Sequence, residues 1–207
     1  MYCPAHFAEH RVEILRELMA SHPLATLVTL DAGQPEANHI PLMAHTLEDG
    51  GTVLRGHIAR ANPLWQTHPA GGDALAIFQG AQCYVAPAWY PSKEAHGKVV
   101  PTWNYMVVHA RGPLHIIQDR DWLRQHLAAL TDAHEKPMAQ PWHVSDAPVD
   151  FIEKLLAAIV GIEMPVHTLQ GKWKISQNRP PADHAGVLQG LQQTGMHDGM
   201  VRVMQKD

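Results

Sequence analysis

The stretch RGHIARANPLW, residues 55–65, sets Arg55, His57, Arg60 and Asn62 within eight positions and follows them with Pro63. It begins as the end of a β-like run, TVLRGHI, and ends in a short segment, PLWQTHP, that reads as a helix closed by Pro69. Asn62 is a good N-cap residue and Pro63 a good first helical residue. Arg60 and Asn62 therefore fall where a strand gives way to a helix N-terminus. Free N–H groups and a nearby guanidinium at such a junction suit an anion, most naturally a phosphate.

Working outward, short turns separate β-rich runs. LATLVTL, residues 24–30, reads as a buried strand, DAGQP as a turn, EANHIPLMAH as the next strand, EDGG as another turn and TVLRGHI as the third strand. Such a meander predicts an antiparallel sheet. DALAIFQG and QCYVAPAWY read as two further strands, PSKEAHG as a loop, and KVVPTWNYMVVHARGPLHII as a long β segment with both faces covered. Helical spacing covers Phe7 to Met19, a stretch capped by Asp119 with Trp122, Leu123, Leu127 and Leu130 as its stripe, and VDFIEKLLAAIVG. IEMPVHTLQGKWKISQN reads as a final strand pair or one bent strand. The expected organisation is one domain over residues 1–180, with a helical insertion near 119–160, followed by a peripheral helix and loose tail over 181–207. Its class is mainly β with helical additions, a small antiparallel barrel.

The 207 residues, 45% hydrophobic and 17% charged, suffice for a real core. A net charge of −4 gives no overall basic footprint for nucleic acid. Cys3 and Cys83 form no metal-type pair, which points to a reducing cytoplasm; no apolar run has the length of a membrane span. HFAEH, residues 6–10, carries the letters of the HxxEH zinc-peptidase motif but stands at a frayed helix start without a third ligand. None of Ser21, Ser92, Ser145 and Ser176 sits in a nucleophile context, and no GxGxxG or Walker loop occurs.

Two stretches complete a ligand inventory. VVPTWNY, residues 99–105, offers a flat wall of Trp103 and Tyr105, and GKWKISQN, residues 171–178, offers Lys172, Lys174, Ser176, Gln177 and Asn178. A phosphate group beside a planar heteroaromatic ring is what flavin mononucleotide presents.

MYCPAHF, NHIPL, GHIARANPLW, YVAPAWYPSK, VPTWNY and GKWKISQN, in that order, resemble the PaiB-type FMN-binding negative transcriptional regulators. The resemblance implies a split β-barrel of the pyridoxamine-phosphate-oxidase-like, FMN-binding type and a homodimer with flavin near the subunit interface. It implies that Asn38, His39, Ile40 and Pro41, with His57, Ile58 and Ala59, line the ring, and that Arg60 and Asn62 hold the phosphate. It further implies that Trp103, Asn104 or Tyr105, and Lys174 or Gln177, approach from the same or the partner subunit. One segment departs: Ala86-Pro87-Ala88 stands where relatives tend to carry Ser-Pro-Ser. The function implied is FMN-dependent regulation through DNA or another regulator, with no membrane partner. A flavin reductase or small-molecule oxidase on the same barrel is the alternative.

Overall fold

The computed structural model describes residues 1–68, 71–195 and 197–205. The chain forms two compact units, one built from Met1–Leu18, Gln79–His109 and Gln170–Asp207, the other from Met19–Phe78 and Ala110–Leu169.

After a 3₁₀ turn at Ala5–Phe7 comes a two-residue strand, β1 (Ala8–Glu9), and the helix expected from Phe7 starts only at Val12 (α1, Val12–Ser21). The Glu9 carboxylate accepts the Arg11 backbone N–H at 2.8 Å and its guanidinium, which fixes the bend ahead of the helix. His6, Glu9 and His10 thus share no helix face, and the zinc-peptidase lettering has no structural counterpart. β2 (Leu24–Asp31) and β3 (Gln34–Pro41) form a hairpin registered from Leu24 opposite Pro41 to Asp31 opposite Gln34. Its turn residues Ala32 and Gly33 both have positive φ, 47° and 82°, the geometry that matches the twist of paired strands. β2 was expected to be buried throughout; instead Ala25 and Leu27 are fully buried while Leu24 and Leu30 are exposed.

Beyond Pro41 the chain changes sheet. Leu42 is buried and its N–H donates to the Pro23 carbonyl at 2.9 Å, and β4 (Met43–Thr46) then pairs with β5 (Thr52–Ala59). α2 is a single turn, Leu64–Thr67, and the Asn62 side chain accepts the Leu64 N–H at 2.9 Å, as a capping residue does. Pro69, expected to close this turn, lies outside the described residues.

The two strand runs flanking Gly80 are one strand, β6 (Asp73–Val85). Gly80 is no break: a Cβ there would come within 2.9 Å of Leu18 Cδ1 and 3.2 Å of Met106 Cε, so the missing side chain is filled by neighbours. PSKEAHG, read as a loop, holds a short helix, α3 (Ser92–His96), ended by Gly97 at φ 69°. Then come β7 (Thr102–Pro113), β8 (His115–Ile117) and α4 (Arg120–Glu135), whose cap Asp119 accepts the Trp122 N–H at 2.7 Å as expected. On β7 both faces are not covered alike: Asn104, Met106, Val108 and Ala110 are buried whereas Trp103 is 53% exposed.

α5 (Val149–Ala157) follows, and its Ile152 and Leu156 pack with Leu123 of α4 in a small satellite core. β9 (Ile159–Pro165) and β10 (Thr168–Lys174) are separate strands in different sheets. Of the peripheral helix and loose tail expected over 181–207, the helix is present as α6 (Pro181–Thr194), while the loose tail is corrected: α7 (Asp198–Met204) follows, and the two helices bury Val187, Leu191, Met200 and Met204. The absent side chain of Gly190 lets the Trp89 ring sit on α6, since a Cβ there would meet Trp89 Cγ at 2.4 Å.

In the first unit the sheet order is β1-β10-β7-β6, with Ala8 opposite Lys172. In the second, β6-β2-β3 make one layer and β4-β5-β9-β8 another, all registered pairs antiparallel. Among the described residues no helix is long and apolar enough to cross a membrane.

Candidate functional site

Strand alternation decides which side chains of the opening stretch can act together. On β5, Arg55 and His57 project to one face and Leu54, Gly56 and Ile58 to the other, where they are buried. The Arg55–Glu163 ion pair, 2.7 Å, spans directly opposed positions of β5 and β9. His57 Nδ1 lies 3.3 Å from Nε2 of His126 on α4, and the His126 ring stacks on Trp122 at 5.3 Å and 21°. Trp122 can approach because Gly161 stands opposite His57 on β9: a Cβ on Gly161 would sit 2.4 Å from Trp122 Cζ3. Burial lowers the pKa of His57, and burial followed by His57, His45 and Arg55 brings His126 down to about 4. The two imidazoles are thus a neutral pair near neutrality. His126 Nδ1 and His45 Nε2 are buried with no hydrogen-bond partner among the described residues.

Arg60 is held by the end of α5. Its Nε donates to the Ala157 carbonyl at 2.8 Å, and its terminal nitrogens donate to the Ile159 carbonyl at 3.0 Å and Gln118 Oε1 at 3.1 Å. Its guanidinium also faces the Trp65 ring at 5.5 Å. Three of the five N–H groups are accounted for by these bonds. Asn62 donates to Asn38 Oδ1 at 2.6 Å, so the strand end at Asn38 and the α2 entry are brought together as the sequence suggested. They line a groove of ≈ 390 Å³ that also carries the carboxylates of Asp31 and Glu36, which the sequence reading did not place there. His39 and Pro41 are exposed at the edge strand, Ala59 is exposed at the end of β5, and Ile40 and Ile58 are buried.

The other expected residues belong to the first unit, where period two separates the run Trp103-Asn104-Tyr105. Trp103 and Tyr105 line a groove of ≈ 530 Å³ with Tyr2, Phe7, Lys172 and Lys174. Asn104 points the other way: it is fully buried and its amide exchanges hydrogen bonds with Ser176 Oγ at 2.9 and 3.1 Å. Lys174 Nζ donates to Thr102 Oγ1 at 2.7 Å and to the Trp103 carbonyl. Gln177 does not reach this groove; its amide closes a local turn on the Trp173 carbonyl and the Ile175 N–H. The sequence reading missed Tyr2 and Phe7, although both lie in the marker MYCPAHF, and it missed the burial of Lys172. Cys83 is fully buried and its thiol is pushed up to about 11 by burial, so it is no nucleophile. Among the described residues no group of three or more His, Cys, Asp or Glu is placed to hold a metal ion.

Each groove, taken by itself, carries groups that suit part of a flavin. The lysine groove has flat aromatic walls and cationic donors, and the Asn38–Asn62 groove has amides beside exposed strand ends. The fold gives the class. Solved structures with the same fold include the FAD and haem binding protein of Mycobacterium smegmatis, TM-score 0.58, 19% identical over 81% of this chain and 73% of that one. A conserved hypothetical protein of Mycobacterium tuberculosis matches with TM-score 0.59, 12% identical over 87% and 94% of the two chains. The molecule is thus mainly antiparallel β with helical additions, with the split-barrel fold of these structures. More narrowly, the family model described as "Putative FMN-binding domain" matches residues 1–168, and the chain belongs to this PaiB-type FMN-binding family. The Bacillus subtilis protein "Protease synthase and sporulation protein PAI 2" is 32% identical over 93% of this chain and 89% of its own length. An uncharacterised protein of Emericella nidulans is 34% identical over 96% of this chain and 93% of its own.

Proposed function

We propose that this chain is a cytoplasmic homodimer that binds FMN and acts as a negative regulator of transcription of the PaiB type. The observation that carries the flavin half is the aromatic-walled groove with Lys172 and Lys174 in a chain of an FMN-binding family. Support for the regulatory half comes from the Bacillus subtilis relative, whose name ties it to protease synthesis and sporulation. In this reading Asn38 to Pro41 and His57 to Ala59 border the ring, chiefly through backbone where the side chains are buried. Asn62 and the remaining N–H groups of Arg60 hold the phosphate. Trp103, Tyr105 and Lys174 offer a flavin the aromatic and cationic wall of the first unit; Asn104 supports that wall through Ser176. Bound FMN supplies reversible electron uptake, for which the chain needs no acid or base of its own.

The net charge of −4 and the long connection between α4 and α5, which is not a helix-turn-helix, favour a second reading as a flavin-dependent oxidoreductase. One series of measurements tests both. The absorbance spectrum of the purified protein, with the released ligand weighed after acid denaturation, is expected to show flavin bands and the mass of FMN. A colourless protein that also ignores added FMN would sink the flavin reading. Bleaching by NADH or NADPH would select the oxidoreductase; salt-dependent DNA binding by the pure protein would select the regulator.

A further inference from the structure

Lys172 is a buried charge without a counter-ion. Its residue is 7% exposed, and its Nζ lies 5.4 Å from the Tyr2 ring centroid and 5.2 Å from that of Tyr105. Its hydrogen bond goes to the Tyr2 carbonyl at 3.1 Å. Lys174, in the same groove, bonds only neutral oxygens, those of Thr102 and Trp103. Neither ammonium has a carboxylate partner among the described residues, and no Asp or Glu lines the groove. Burial, then the like charges of Arg179 and Lys172, lower the pKa of Lys174, so the cations press on one another. Ring faces and carbonyls attract an ammonium but carry no formal negative charge. A desolvated cation in this state is stabilised most by an anion brought in from outside.

We propose that the Lys172–Lys174 groove is a receptor site for a planar conjugated anion, whose ring lies against Tyr2, Trp103 and Tyr105 and whose charge meets the two ammoniums. The walls choose the shape. A tetrahedral, strongly hydrated anion would give up its water for ring faces that donate nothing, whereas a flat delocalised one gains stacking and charge neutralisation together. This deepens the flavin reading by naming the chemistry of one part of that site. Two sources share the chemistry: the reduced flavin ring, which becomes anionic at N1 of its pyrimidine edge, or a separate aromatic carboxylate that reacts with or reports to the flavin.

The test is calorimetric titration of the full chain, freed of flavin, with benzoate, its uncharged isostere benzamide, and inorganic phosphate. Benzoate is expected to bind at least about tenfold more tightly than either, a gap of roughly 1.4 kcal/mol. Lys172→Met should abolish that preference and Lys172→Arg should keep most of it. Because Lys172 is buried, Lys174→Gln serves as a second, milder variant that should weaken benzoate selectively. Benzamide binding as well as benzoate, or a folded Lys172→Met protein with unchanged benzoate affinity, overturns the proposal. Competition with reduced riboflavin, whose ring is anionic and which lacks the phosphate, assigns the site to the flavin ring; undiminished benzoate binding to flavin-loaded protein assigns it to a second anion. FMN binding followed by absorbance on the same samples keeps the two readings apart. FMN bound without a benzoate preference removes this inference alone, and a benzoate preference without FMN binding removes the flavin reading alone.

Discussion

Arg60 ties the start of the α2 turn to the end of α5 through the carbonyls of Ala157 and Ile159. These are charge-assisted bonds, one to the carbonyl of the last residue of α5 and one to that of the first residue of β9. Arg60→Ala should therefore cost about 1–3 kcal/mol in urea unfolding, whatever the ligand does. If the guanidinium also holds a phosphate, FMN affinity should fall by at least about tenfold while riboflavin affinity stays put. An equal fall for both ligands would assign Arg60 to packing alone. The His57–His126 pair makes a second residue-scale prediction. Folding depresses the His126 pKa from the ordinary 6.5 to about 4, so between these values the unfolded chain binds the extra proton. The contribution is complete above pH 6.5 and is lost as the pH falls towards 4, on the order of 3 kcal/mol in all. His57, lowered in the same direction, adds to the slope. His126→Phe keeps a ring against Trp122 and should flatten the stability profile between pH 6.5 and 4, read by urea titration at stepped pH.

Among the elements, the contact of α4 with the four-stranded sheet depends on one missing side chain. A Cβ on Gly161 would strike the Trp122 ring at 2.4 Å, so Gly161→Ala should destabilise by about 1–3 kcal/mol and loosen the His126 stack. A shifted thermal midpoint with altered near-ultraviolet dichroism is the expected signature; an unchanged midpoint would show that α4 yields freely. Element-scale features were also where the sequence was most legible. The hairpin turn at Ala32-Gly33, the Asp119 cap and the Asn62 bond at α2 rest on local chemistry, and local chemistry is written in consecutive residues. What escaped was non-local. Gly80 reads as a break until Leu18 and Met106 are seen to fill its place. That Lys172 is covered does not show in its own stretch, because the rings that cover it, Tyr2 and Tyr105, stand far away in sequence. Asn104 reads as one group with Trp103 and Tyr105, and strand alternation turns it into the core. Glu163 and His126 gave no signal at all beside Arg55 and His57, since only strand register and the α4 crossing unite them.

For the molecule as a whole, the C-terminal helices are part of the fold and no appendage. Val187, Leu191 and Met200 are fully buried, and Met204 Sδ stands 3.8 Å from the Asn104 amide beneath the Trp103–Tyr105 wall. A chain ending at Arg179 should therefore lose cooperative unfolding and its groove together, seen as dye binding to exposed apolar surface and loss of benzoate or flavin affinity. A truncated protein that melts cooperatively at the full-length midpoint would contradict this. The pairing of Ala8 with Lys172 and Glu9 with Gly171 has a consequence for the protein's birth. The ribosome makes β1 long before it makes the β10 partner that follows it so far along the chain. Until β10 emerges, Ala8 and Glu9 wait unpaired, and the lysine groove, which needs Tyr2 and Lys172 alike, comes into being only after Lys172 has been made.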